Sequence, residues 1–209
     1  LTKGLSVEND ELITLSEKIK ILLKEKGHND NEINISAIKG PCLATGLANK
    51  MRTGTVIANS DIKEAQLLKK IISTNYYSTE LTNDIQGVEL SSAIKNIYSM
   101  LIGAAEGLSN STAPIEIQSK YYLNTSASLI HRSISEMVEF VSYYGGHAET
   151  VYGLAGLGDL YVSAIGGRNS LMGKYLGQGH LYKDAKELYM KDITVEGAEL
   201  AVEIGPKIF

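Results

Sequence analysis

The chain has 209 residues, 44% of them hydrophobic, which is enough for one large domain or two small ones around a sizeable core. A formal net charge of −4, with the basic residues scattered, excludes a phosphate-backbone footprint, so nucleic acid is not an expected partner. A single cysteine, Cys42, cannot form an internal disulfide, no apolar run reaches membrane-spanning length without Lys95 or Asp159 inside it, and no basic leader precedes an apolar segment; a cytoplasmic location is expected.

Residues 1–80 are predicted to be α/β. Leu12, Leu15, Ile19, Leu22 and Leu23 recur at helical spacing and predict a helix over 11–26. ISAIKG at 35–40 and GTVIANS at 54–60 predict short strands, and IKEAQLLKKIIS at 62–73 predicts a second amphipathic helix. Strands alternating with helices point to βαβ units, here part of a doubly wound parallel sheet. From Leu81 onward no segment predicts a strand, and helical patterns cover 84–108, 115–144, 147–165, 168–177, 181–191 and 195–204. The expected organisation is therefore an α/β remnant over 1–80 and an all-α domain over 81–209, predominantly helical overall. Pro41, Pro114 and Pro206 are expected in turns.

The stretch GVELSSAIKNIYSMLIGAAEGL, residues 87–108, has one charge between Glu89 and Glu106: Lys95. Ile85, Val88, Ile94, Ile97, Leu101, Ala104 and Leu108 form an apolar stripe facing a core. Lys95 lies about 100° round from Ile94, on a strip shared with Ser91, Ser92 and Ser99, whose small side chains leave space beside the lysine. Two accounts fit. The lysine stem lies on the core with its ammonium in water, or a partly buried ammonium points into a site as a proton donor. Thr82, Asn83 and Asp84 offer capping oxygens at the start of the helix, and Gly103 and Gly107 are expected to loosen its end.

TVYGLAGLGDLYVSAIGG, residues 150–167, again holds one charge, Asp159. A carboxylate buried alone is costly and one beside an ammonium is stabilised, so Lys95 and Asp159 are expected to pair; the alternative is a surface aspartate capping the helix after Gly158. The glycines of GLAGLG run G-x-x-G-x-G with no strand before them, which is not a dinucleotide fingerprint. Gly166 and Gly167 then lead into Arg168 and Asn169 at a helix start, where a guanidinium, an amide and free N–H groups suit a phosphate; a solvated arginine near a turn is the other account. His131 on the helix over 124–146 has no partner at ligand spacing, and no metal site is expected.

KGL at 3–5, GP at 40–41, GVELSSAIKN at 87–96, NTSASLIHRSISEM at 124–137, GLAGLGDL at 153–160, GGRN at 166–169 and VEG at 195–197 together resemble the NAD(P)-dependent glycerol-3-phosphate dehydrogenases, over nearly the whole chain. The resemblance implies reduction of dihydroxyacetone phosphate by a nicotinamide cofactor, NAD or NADP, with Lys95 as proton donor and Asp159 beside it. It implies substrate contacts from Lys3, Gly40, Asn96, Ser163, Arg168 and Asn169, and cofactor contacts from Lys3, Ala44, Arg168 and Glu196. The implied partners are a small phosphorylated substrate and a second copy of the chain in a homodimer, with neither nucleic acid nor a membrane span.

The chain departs from the family pattern at Cys42, where a hydroxyl residue is usual, at Gly46, where a glutamate is usual, and at Ser163, which stands for a commoner threonine. These bear on the shape of the pocket. The resemblance also implies a glycine-rich nucleotide loop upstream of KGL and a continuation beyond Phe209, so the chain is expected to be an internal fragment, inactive alone. A related β-hydroxyacid or ketoacid reductase and a non-catalytic helical dimerisation module are the competing functions.

Overall fold

Thr14 ends one element and begins the next. The computed structural model describes residues 4–9, 11–29, 33–112, 114 and 122–208. Strands β1 (Leu5–Glu8) and β2 (Glu11–Thr14) form an antiparallel hairpin in the register Leu5↔Thr14 to Glu8↔Glu11. Helix α1 (Leu15–Glu25) follows directly. The helix predicted from residue 11 therefore starts four residues later, because Thr14 and Glu17 make a capping box. The Thr14 hydroxyl accepts from the Glu17 N–H, and the Glu17 carboxylate accepts from the Thr14 N–H at 2.8 Å. Leu12 suits either period, and the T-x-x-E sequence at 14–17 was the signal that decides between them.

Strands β3 (Ala37–Lys39), β4 (Thr53–Ala58) and β5 (Tyr77–Thr82) form a sheet in that order. Short helix α2 (Ala44–Ala48) lies between β3 and β4, and α3 (Ile62–Ile72) crosses from β4 to its parallel neighbour β5. That is the expected βαβ unit. β3 runs antiparallel to β4, an edge arrangement that open α/β sheets tolerate. β5 was not predicted: of its six residues only Thr79 is buried, so the strand lacks the apolar alternation that marks a buried one.

The rest of the chain is helical. Helix α4 (Ile85–Thr112) is the central rod, followed by α5 (Leu123–Tyr143), short α6 (Ala148–Tyr152), a π-helical turn (Leu154–Gly158), α7 (Asp159–Gly166), α8 (Arg168–Gly177), α9 (Tyr182–Tyr189) and α10 (Glu196–Ile208). The element predicted over 147–165 is thus three pieces, broken by Gly153 in extended backbone and by the π turn. Part of the helix predicted from 115 lies outside the described residues. Pro206 sits inside α10 rather than in a turn. Among the described residues no helix is long and apolar enough to cross a membrane.

Packing around α4 departs from the predicted stripe. Val88, Leu90, Ala93, Ile94 and Ile102 are buried, whereas Leu101 and Leu108 are 50% and 57% exposed. Glycine explains the difference. A Cβ on Gly103 or Gly107 would overlap the backbone carbonyls of Ser170 and Lys174, and one on Gly173 or Gly177 would overlap those of Met100 and Ala104. Two G-x-x-x-G faces therefore lie backbone to backbone, and α4 meets α8 through its glycines rather than its leucines. Gly103 and Gly107 tighten the helix pair instead of loosening an end.

Candidate active site

Two helices bring the solitary charges together. Lys95, 3% exposed, comes from the middle of α4, and Asp159, 4% exposed, is the first residue of α7. The Lys95 Nζ donates to Asp159 Oδ1 at 2.9 Å and to the Ser163 hydroxyl. Asp159 and Ser163 are four apart on α7 and so share one face. The accounts in which Lys95 reaches water or Asp159 caps from the surface are excluded by this burial.

An ion pair this deep is held by geometry rather than by net attraction, because desolvating both charges offsets most of the Coulomb gain. Its environment is polar on the α4 side. Ser91, Ser92 and Ser99 are all buried; Ser92 and Ser99 donate to the Glu89 and Asn96 carbonyls of their own helix, at 3.1 and 3.0 Å. Among the described residues the Ser91 hydroxyl has no hydrogen-bond partner. Three residues further along α4, burial pushes the Tyr98 phenol up from its ordinary pKa, reinforced by the Glu136 carboxylate.

A second group sits one residue along α4. The Asn169 Nδ2 donates to Asn96 Oδ1 at 3.1 Å, while Asn169 Oδ1 accepts the Gly197 N–H at 2.7 Å. Asn169 thus points inward and ties α8 and the start of α10 to α4. With its Oδ1 turned to Asn169, Asn96 presents its own Nδ2 donors elsewhere, and it lines a cavity of about 130 Å³ shared with Glu196 and Gly4. Arg168 behaves differently from its neighbour. Its side chain is 56% exposed, ion-paired with Glu196, and it opens on a cavity of about 290 Å³ that Lys174, Gly167 and Leu171 also line. Lys174, itself paired with Glu106 at 2.7 Å, was not singled out from the sequence; a lone cation on a helix gives no sign of the cavity it will face.

Gly40 follows β3 at the edge of the sheet. It has φ +143°, and a Cβ there would stand 3.0 Å from Thr55 Cα, so the backbone at the end of β3 is necessarily bare. The following Pro41 touches the π turn: a Cβ on Gly158 would lie 3.4 Å from Pro41 Cγ, next to Asp159. Ala44 is exposed on α2, and Lys3 lies outside the described residues. Among the described residues no group of three or more His, Cys, Asp or Glu could hold a metal.

The fold and this pair define a class: a helical domain with a buried, carboxylate-paired lysine, beside a small mixed α/β sheet. Residues 84–205 match the family model described as NAD-dependent glycerol-3-phosphate dehydrogenase C-terminus, and the chain belongs to that family. It is 34% identical to an NADP(+)-dependent glycerol-3-phosphate dehydrogenase of Archaeoglobus fulgidus over 100% of the chain and 60% of the relative. A glycerol-3-phosphate dehydrogenase [NAD(P)+] of Syntrophobacter fumaroxidans is 30% identical over 97% of the chain and 55% of its own length. The chain therefore spans about half the length of the curated relatives it matches. The crystal structure of glycerol-3-phosphate dehydrogenase from Coxiella burnetii superposes with a TM-score of 0.76 at 28% identity, covering 90% of this chain and 54% of that one. The Dunaliella salina DsGPDH structure shares the fold, with a TM-score of 0.82 at 21% identity over 98% of this chain and 33% of that one.

Proposed function

We propose that the protein interconverts dihydroxyacetone phosphate and glycerol 3-phosphate with NAD or NADP, residues 1–80 belonging to the nucleotide domain and 81–209 to the substrate domain. The observation that carries this is the Lys95 ammonium, buried and aimed by both Asp159 and Ser163. A bound nicotinamide supplies the hydride that reduces the ketone carbon. Lys95 holds a proton at Nζ and delivers it to the carbonyl oxygen as that oxygen gains charge, so ketone, hydride and proton together give the secondary alcohol. Asp159 keeps the ammonium charged and oriented. Asn96 offers its amide donors to the substrate, Asn169 fixes that amide, and Arg168 takes the phosphate as a bidentate partner from a solvent-open position.

The residues fit a dinucleotide at the rim, where Arg168 with Glu196 offers a charged pair; Ala44 and Lys3 complete the proposed cofactor contacts, and Gly40 brings bare backbone close to the substrate. We further propose a cytoplasmic setting and a homodimeric assembly; the single cysteine supports the former. The test is Lys95→Ala in the intact gene product, assayed with dihydroxyacetone phosphate and each reduced cofactor. A loss of about 10²–10⁴-fold in kcat with retained near-ultraviolet circular dichroism is expected. Turnover within a few-fold of wild type removes Lys95 from the chemistry.

A further inference from the structure

Lys95 and Asp159 come from chain segments that also meet at their other ends. Asp84, 5% exposed, immediately precedes α4, and its carboxylate is shared between two helix starts. Oδ1 accepts the Gly87 N–H of α4 at 2.8 Å. Oδ2 accepts the His147 N–H at 3.0 Å, directly before α6, and the Thr150 hydroxyl of α6 at 2.5 Å. The junction has no slack: a Cβ on Gly146 would stand 2.6 Å from Gly87 Cα, and one on Gly87 would overlap the Asp84 carboxylate itself. From this one side chain two arms of nearly equal length depart. Eleven residues along α4 lies Lys95; twelve residues from His147, through α6 and the π turn, lies Asp159. The arms touch partway, where Val88 of α4 and Ala155 of the π turn share a buried cluster, and they close in the ion pair.

We propose that Asp84 is a positioning residue for the Lys95–Asp159 pair: its carboxylate sets the register of the two arms, and hence the aim of the ammonium. This rests on the function proposed above. An ordinary helix cap satisfies the orphan N–H groups of its own helix. Asp84 caps one helix with one oxygen and uses the other to hold a second segment 63 residues away. A shift of about 1 Å at a reacting group can cost on the order of 10²-fold in rate, so an error in register at the base of the arms reaches the chemistry without touching substrate.

Asp84→Asn in the intact gene product tests it, because the amide keeps the size, retains one acceptor and replaces the other with a donor that faces donors. The expected result is a fall of about 10-fold or more in kcat for dihydroxyacetone phosphate, with KM changed by less than about 2-fold. In an Asp159→Asn background, the same substitution should add less than about 2-fold, since the register then has no carboxylate to aim. Independently of turnover, acetylation of Lys95 by acetic anhydride, read by mass spectrometry, should speed up relative to Lys174, whose ion pair lies elsewhere. If Asp84→Asn does not fold, Thr150→Val removes a single donor and is read in the same way. Multiplicative losses in the two backgrounds, or unchanged labelling of Lys95, overturn the proposal. Full activity in Lys95→Ala removes the proposed function instead, and the labelling still decides the role of Asp84.

Discussion

The two halves of α4 are built on opposite principles. From Glu89 to Ser99 the helix buries polar side chains: Glu89 accepts from the Ser16 N–H and hydroxyl at 3.2 and 2.5 Å, Lys95 meets Asp159, Asn96 meets Asn169, and three serines are enclosed. From Met100 to Gly107 it buries no charge and packs by removing side chains, glycine against backbone on α8. The first half gives up stability for groups with directed donors and acceptors, each of which is expensive if left unmet. The second recovers stability from dispersion at close range, where small gaps forfeit much of the attraction. One rigid rod therefore anchors the buried Lys95 by being immovable a turn or two further on.

The largest effect should come from dismantling the polar half in two ways. Lys95→Met takes the ammonium away from the buried Asp159 carboxylate, and stability should fall by about 3–5 kcal/mol. Combining it with Asp159→Leu replaces the pair by apolar groups and should restore stability to within about 1 kcal/mol of wild type, or above it, while activity stays lost. Urea melts of the two variants measure this. A double variant no more stable than Lys95→Met would mean that the pair holds the fold and not only the site.

Next in size is the close-packed half. Gly103→Ala places a methyl group where the Ser170 carbonyl already sits, so α4 and α8 must part; we expect a loss of about 2–3 kcal/mol, at the upper end of overpacking effects. Gly166→Ala, on α7 with nothing within 4 Å of the added carbon, should gain up to about 1 kcal/mol from helix propensity. Equal shifts in Tm for the two would show that backbone contact at Gly103 is not what holds the helices.

This contrast also marks what could be read from the sequence. The solitary charges were legible, because Lys95 and Asp159 stand out against apolar surroundings and a buried charge needs a partner. The α/β alternation was legible through β3, β4 and α3, but not through β5, whose exposed and polar residues hide it. The glycine seam was not, since apolar periodicity scores leucine and ignores glycine, and it assigned Leu101 and Leu108 to a core they do not enter. The second contact of Asp84 was not legible either: its capping role is local, but His147 and Thr150 carry no mark that would tie them to it. Arg168 and Asn169 share a helix start, and the sequence does not show how their side chains part. Neighbours on a helix point about 100° apart, and here one faces the interior and the other the solvent.

The smallest effect should separate the three serines of the polar half. Ser92 and Ser99 satisfy their hydroxyls on carbonyls three residues back, so truncating either to alanine exchanges one hydrogen bond for a better helix former, and stability should change by less than about 0.5 kcal/mol. Ser91 is fully buried with its hydroxyl unmet. It lies one turn before Lys95 on the same face, between the Val88–Ala155 contact and the ion pair. An unsatisfied buried hydroxyl carries a desolvation penalty of about 1–3 kcal/mol, so Ser91→Ala should stabilise the protein by about 1 kcal/mol, where the other two do not. Thermal or urea melts of the three single variants suffice. If Ser91→Ala instead destabilises as much as either neighbour, the hydroxyl has a partner in solution, and an ordered water beside Lys95 is the group to look for.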